Sequence, residues 1–337
     1  MTPKEQGSIA LRRFVVLMAL WAIAAPAAAA EPLRIGIGYG LAFLPIYVCQ
    51  DLKLFEKYAR QEHLEVKPDY QRFSGAGPLR DALAKGDIDV GPFGIAPLLL
   101  AWEQGKDTPR QVLAVSGVTT LPLALLSNQP NVQSLADLKP SDRIALPTPS
   151  APQRYLLEMQ AEKVFGHYDK LDAQVVVQSH VAAIAALIAG TSPVTAYFSS
   201  PPFTQLALRD ARIHQVLSST DVIGGKSSFL ILGATRGYIA AHPQIPEVID
   251  KAMDEAAQLI ERDPRRAAQI YLTHEPSKTF DAAAIQAVLA DDKDAFGSAL
   301  YGIQAFADFM AKHGELKASP QSWKDIVAPA LSNSPSD

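Results

Sequence analysis

Cysteine is almost missing from this sequence. A single thiol, Cys49, in 337 residues rules out an internal disulfide and any cysteine-built metal cluster. Basic excess is missing too. The 31 Lys and Arg stand against 35 Asp and Glu, a formal net charge of −4, which leaves no electrostatic footprint for nucleic acid. After residue 30 no apolar run approaches the ~20 residues needed to span a bilayer.

The catalytic signatures are absent as well. There is no G-x-S-x-G, since "GTSPV" (190–194) lacks its last glycine, and no G-x-x-x-x-G-K-[ST]. The seven histidines are scattered, with no H-x-x-x-H or H-E-x-x-H, so no metal site is expected. His180, which opens a helix beside Ser179, is the histidine best placed to face a cleft, and it is read as structural. The run "RIGIGYG" (34–40) imitates a dinucleotide loop, but Gly36, Gly38 and Gly40 are followed by Leu41, so the third glycine comes one residue early for G-x-G-x-x-G. Its glycines are better read as a strand end where backbone must approach a ligand or another backbone closely. No cofactor is expected.

What is present begins with a leader. Arg12 and Arg13 precede the apolar run Phe14 to Ala24, then Pro26 and the small residues Ala27 to Ala30. That order predicts a secretory signal over 1–30, cleaved after Ala30. The leader carries Lys4, Arg12 and Arg13 against Glu5, so its loss leaves the remainder more acidic. Cys49 lies well past the cut and is no lipidated terminus; it reads as a buried structural thiol. The tail "SNSPSD" (332–337) has no apolar residue to bury.

With 48% hydrophobic residues, the chain can bury enough for two lobes. Strand-like segments (33–38, 88–93, 111–118, 121–127, 143–147, 173–178, 194–198) alternate with helix-like ones (43–58, 78–86, 96–105, 152–166, 181–190, 202–210). From Arg236 on, the pattern is helical. Such alternation predicts mostly parallel sheets flanked by helices. A weak internal echo links "SGAGPLRDALAKGDIDVGPFG" (74–94) with "SHVAAIAALIAGTSPVTAYFSS" (179–200): Gly86 answers Gly190, and Val90 falls near Val194. Five loops at strand ends feed helices, at 39–45, 74–78, 91–97, 147–153 and 198–203. In open α/β sheets ligands sit outside the carboxyl ends of strands, where helix N-termini offer free N–H groups. None of the five loops contains Arg or Lys.

The leader, then "RIGIGYGLAFLPIYVCQDLKLFEKY", "LRDALAKGDIDVGPFGIAPLLLA", "RIALPTPSAPQRYLLEMQAEKVFG", "VTAYFSSPPF" and the helical run from "FLILGATRGY", resemble in their order the substrate-binding proteins of nitrate/sulfonate/taurine-type ABC transporters. The match rests on Pro45, Tyr47, Val48 and Leu54 to Lys57, and on Ala82 to Gly91, and covers essentially the whole chain after the leader. The resemblance implies a two-lobed type II periplasmic binding fold with two hinge crossings, near 116–122 and 224–233. Lobe I would comprise 31–118 plus 231–337, and lobe II 119–230. It further implies no catalysis and a periplasmic monomer. That monomer would capture a sulfonate-, taurine- or nitrate-like solute by hinge closure and hand it to an ABC permease and its ATPase, touching the membrane only through them. Ligand contacts would fall on Ala42, Phe43, Gly75, Ala76, Gly94 and Ile95, and, from the second lobe, on Ser150, Ala151, Gln153, Ser199, Ser200 and Pro201. The lack of basic loop residues keeps open an uncharged or flat ligand: a pyrimidine, a thiamine precursor or an aromatic. An enzyme or a sensor component on the same fold is the remaining alternative.

Overall fold

A computed structural model describes residues 31–74, 76–191 and 193–331; the leader and the tail lie outside it. The chain begins with β1 (Glu31–Ile37), α1 (Leu44–Leu52), α2 (Leu54–Gln61), β2 (Val66–Arg72), α3 (Ala76–Lys85), β3 (Val90–Phe93), α4 (Ile95–Gln104) and β4 (Val112–Thr119). It then builds β5 (Ala124–Ser127), β6 (Arg143–Leu146), α5 (Pro152–Phe165), β7 (Val175–Val177), α6 (His180–Ala189), β8 (Val194–Ser199), α7 (Phe203–Ala207), β9 (His214–Ser218) and α8 (Ser219–Ile223). It returns through β10 (Leu230–Thr235) and ends in α9 (Arg236–Ala241), α10 (Ile245–Arg262), α11 (Pro264–His274), α12 (Ala282–Asp291) and α13 (Ile303–Lys312).

These strands form two five-stranded sheets of matching order, β2-β1-β3-β10-β4 and β7-β6-β8-β5-β9. Strands β3, β4 and β8 are buried along their whole length, which is why they read as continuous apolar or small-residue runs rather than alternating ones. In each sheet the first three strands run parallel, as the alternation predicts. The last two pairings are antiparallel, through β10 in one sheet and β5 in the other. The cause is topological. The chain leaves β4 and β9 at their carboxyl ends, so each crossing strand must enter the opposite sheet running back the other way.

The internal echo has a structural counterpart. Helix α3 leading to β3, and α6 leading to β8, occupy equivalent places in the two sheets. Gly86 and Gly190 end their helices in the same left-handed conformation, φ 76° and 65°. One expected helix, 43–58, is instead two. Lys53 is left-handed (φ 53°), and the break turns α2 so that Leu54, Phe55 and Ala59 bury while Lys57 and Tyr58 reach Glu255 on α10. Cys49 is fully buried, its Sγ 3.4 Å from the carbonyl of Ala252, and burial holds its pKa well up.

A third segment joins the two crossings. The amides of Gly117 and Thr120 donate to the carbonyls of Ser298 and Ala295 at 2.7 and 2.6 Å, and Ser228 donates to Tyr301 at 2.9 Å. The coil at 294–301 therefore binds the outgoing strand and the returning one together.

Candidate functional site

Strand ends from both sheets open on one cleft of 490 Å³. From the first sheet come Gly38, Tyr39 and Phe43 after β1, Phe73 and Ser74 after β2, and Pro92 to Gly94 where β3 meets α4. Helix α3 adds Gly77, Leu79 and Arg80. From the second sheet come Thr148 and Ser150 after β6, and His180 at the start of α6. Phe229 and Leu230 of the returning crossing form part of the floor.

The glycines of "RIGIGYG" have packing reasons. A Cβ at Gly38 would sit 2.6 Å from the ring of Phe43, so only glycine lets that ring lie against the strand end. The Gly40 amide donates to Glu275 Oε1 at 2.7 Å. Tyr47 donates its hydroxyl to the same oxygen at 2.5 Å, and Tyr271 reaches Oε2 at 3.4 Å. Arg72 lies 3.8 Å from Glu275 and under the rings of Tyr39 and Tyr47. One carboxylate at the C-cap of α11 thus braces the rim that carries Tyr39.

His180 is the polar centre of the opposite wall. Its Nδ1 is bonded to the hydroxyl of Tyr197, and its ring stacks on Phe203 at 4.7 Å. Burial lowers its pKa to about 4, so the ring is neutral at neutral pH. Burial also pushes the Tyr197 phenol far up, a push only partly relieved by a hydrogen bond from Ser199. A protonated phenol donating to Nδ1 leaves the Nε2 proton as the donor His180 can offer. Helices α4 and α5 also begin here. Their N-caps, Gly94 and Ala151, supply no side-chain acceptor, so their first N–H groups and positive dipole ends stay open to an acceptor.

Of the residues expected to contact ligand, Phe43, Gly94 and Ser150 line the cleft. Ala42 and Ile95 are buried beside it, 6% and 0% exposed, and can meet a solute only through backbone. Ala151 and Gln153 lie at the start of α5, with Gln153 buried and its Oε1 without a hydrogen-bond partner. Ser199, Ser200 and Pro201 sit behind the wall: Ser200 accepts the first amides of α7, and Ser199 neighbours Tyr197. Ala76 opens α3, and Gly75 lies outside the described residues. Sequence reasoning did not assign Tyr39, Phe73, Arg80, Phe93, Thr148 or Phe229. Phe73 and Phe229 flank loops rather than standing in them, and Arg80 comes from inside a helix. Only the spacing of "PLR" from the strand-end loop before it hints that Arg80 stays near the cleft.

The fold is shared with solved structures of binding proteins. The Escherichia coli periplasmic aliphatic sulphonate binding protein SsuA superposes with a TM-score of 0.68 at 18% identity, over 90% of this chain and 99% of that one. The Xanthomonas axonopodis alkanesulfonate-binding protein SsuA, bound to MOPS, gives 0.66 at 23% identity over 90% and 99%. The Synechocystis nitrate-binding protein NrtA gives 0.60 at 14% identity over 91% and 86%. No curated protein matches the sequence. The NMT1-like family model matches residues 27–272, most of the chain, and with it the two-sheet fold and the strand-end cleft find one home: the chain belongs to the NMT1-like family.

Proposed function

We propose that the protein is an extracytoplasmic solute-binding protein. It captures a small organic or oxyanion ligand between two lobes, closes on it, and delivers it to an ABC permease. Lobe I is built on the first sheet (31–118 with 231–337), lobe II on the second (119–230), and the crossings at 120–123 and 224–229 act as hinge. The observation that carries this is the cleft itself. Its walls come from equivalent strand ends of two similar sheets joined by two strands, and a solute touching both walls favours the state in which they meet. The kinship with sulfonate- and nitrate-binding neighbours supports the role, and the open N-termini of α4 and α5 suit an oxyanion.

The test is native mass spectrometry of freshly purified protein for a carried-over solute, followed by a thermal-shift panel of sulfonates, nitrate, pyrimidines and aromatic acids. A ligand at 100 times its dissociation constant stabilises by ~2.7 kcal/mol. Small-angle scattering with a hit should show compaction. Failure of every compound to shift the transition, with no carried solute, would count against the role. Mass analysis of protein exported from the native leader should find Glu31 as its first residue; an intact leader would contradict the proposed location.

A further inference from the structure

We propose that the solute is an aromatic monoanion, a planar ring bearing one strong-acid oxyanion such as a sulfonate or carboxylate, with Arg80 as its counter-charge. This rests on the solute-binding role above and specifies its ligand.

The first observation is the wall chemistry. Five aromatic rings line the cleft: Tyr39, Phe43, Phe73, Phe93 and Phe229. Phe43, Phe73 and Phe229 are only partly covered by the protein's own core, so each keeps ring surface for a partner. Tyr39 stands 62% exposed at the rim. A small inorganic oxyanion or a short alkyl chain leaves most of this surface unmatched, whereas a flat ring meets it by offset or edge-to-face contact.

The second observation is an inventory of cations. Arg72 is held by Glu275 and two tyrosine rings. Arg154 is held by Glu158 at 2.6 Å, and Lys226 by Asp294 at 2.6 Å. Arg80, exposed on α3 where the cleft adjoins a second cavity, is the one Lys or Arg lining the cleft and has no hydrogen bond or ion pair among the described residues. One unspent guanidinium matches one negative charge, and its fork suits a planar or trigonal oxyanion. The opposite wall adds only neutral donors, the His180 ring and the hydroxyls of Thr148 and Ser150. A second ligand charge would find no second cation there, only these neutral donors and the open helix N-termini.

The experiment is titration calorimetry on the mature protein with naphthalene-2-sulfonate, 2-naphthoate, hexanesulfonate, nitrate and 2-naphthol. Both naphthyl anions should bind at least about tenfold tighter than hexanesulfonate or the neutral 2-naphthol, and their ratio tells sulfonate from carboxylate preference. Arg80→Gln should weaken the naphthyl anions about ten- to a hundredfold and leave 2-naphthol unchanged, with Arg80→Lys recovering part of the loss. Independently, Phe229→Leu should cut the aryl-over-alkyl preference about two- to tenfold. Binding of hexanesulfonate or nitrate as tight as that of the naphthyl anions, or an Arg80→Gln variant with unchanged affinity and an unchanged melting transition, would overturn the ligand class and leave the solute-binding role standing. Binding of none of the five, with no carried solute in the native mass, would remove the role and the ligand class together.

Discussion

The two sheets share a strand order and differ in almost everything laid upon it. The first is clad by the C-terminal helices. Its edge strand β4 is further covered by 294–301 and by Val327 and Ala328, whose backbone pairs with Ala114. The second has a small satellite core around Ala183, Ile184, Leu187 and Tyr197, and among the described residues its edge strand β9 pairs only with β5. The outer face of α6 is bare, with Val181 68% and Ile188 39% exposed. The loops differ in the same spirit: aromatic rings and a free arginine on the first side, hydroxyls and a neutral histidine on the second. Topology repeats because backbone pairing sets it. Chemistry diverges because it rests on the few side chains that stand where strands end.

The two edges give the largest expected contrast. A Cβ at Gly117 in β4 would sit 2.4 Å from the carbonyl oxygen of Ala299, and backbone there cannot yield cheaply. Gly117→Ala should destabilise by about 3 kcal/mol, a fall of several degrees in thermal unfolding. Gln215→Ala, on the exposed side of β9, should cost no more than about 0.5 kcal/mol. Equal losses at the two edges would mean that the covering segment carries no weight.

Next in size are two buried titrations of opposite sign, one in each half. On the second side, the folded pKa of His180 is depressed to about 4 by burial. The stability it contributes is complete above the ordinary value near 6.5 and is lost as pH falls from there to about 4. On the first side, Asp250 on α10 is raised to about 6, first by burial and then by Asp254, against hydrogen bonds from Ser298 and Ser116. Its contribution is complete below 3.8 and is lost as pH rises through 6. Each is worth up to about 3 kcal/mol. His180→Phe should therefore flatten the acid limb of a stability–pH curve between pH 6.5 and 4. Asp250→Asn should raise the melting temperature at pH 8 and leave it unchanged at pH 3.5. The reverse pattern in either variant would place the buried charge elsewhere.

Much of this comparison was legible beforehand. Alternating segments, the Gly86/Gly190 echo, the strand-end loops and the family likeness follow from short-range pattern, and pattern survives in the sequence. Three features were not. The left-handed Lys53 that splits 43–58 has no signature in a non-glycine residue. The antiparallel entry of β5 and β10 depends on which end of a sheet the chain leaves. The clasp at 294–301 is coil whose partners lie more than a hundred residues earlier or about seventy away. The candidate site divides the same way. Phe43, Gly94 and Ser150 stand in loops that composition points out, while Arg80, Phe73 and Phe229 enter from elements whose facing is decided only by packing.

The smallest prediction probes the echo itself. Gly86 and Gly190 both close a helix in the left-handed region, and a Cβ added at either meets nothing within 4 Å. Only backbone strain then distinguishes glycine from alanine, about 1 kcal/mol at each site. Gly86→Ala and Gly190→Ala should lower the melting temperature by equal amounts, about 2–4 °C. Asparagine, which tolerates this conformation better, should recover part of the loss at both. Because neither residue touches the cleft, solute affinity should not change in any of the four variants. If Gly190→Ala proved much the milder, the second helix would be fraying already. The likeness of the two halves would then hold for their topology and not for their stability.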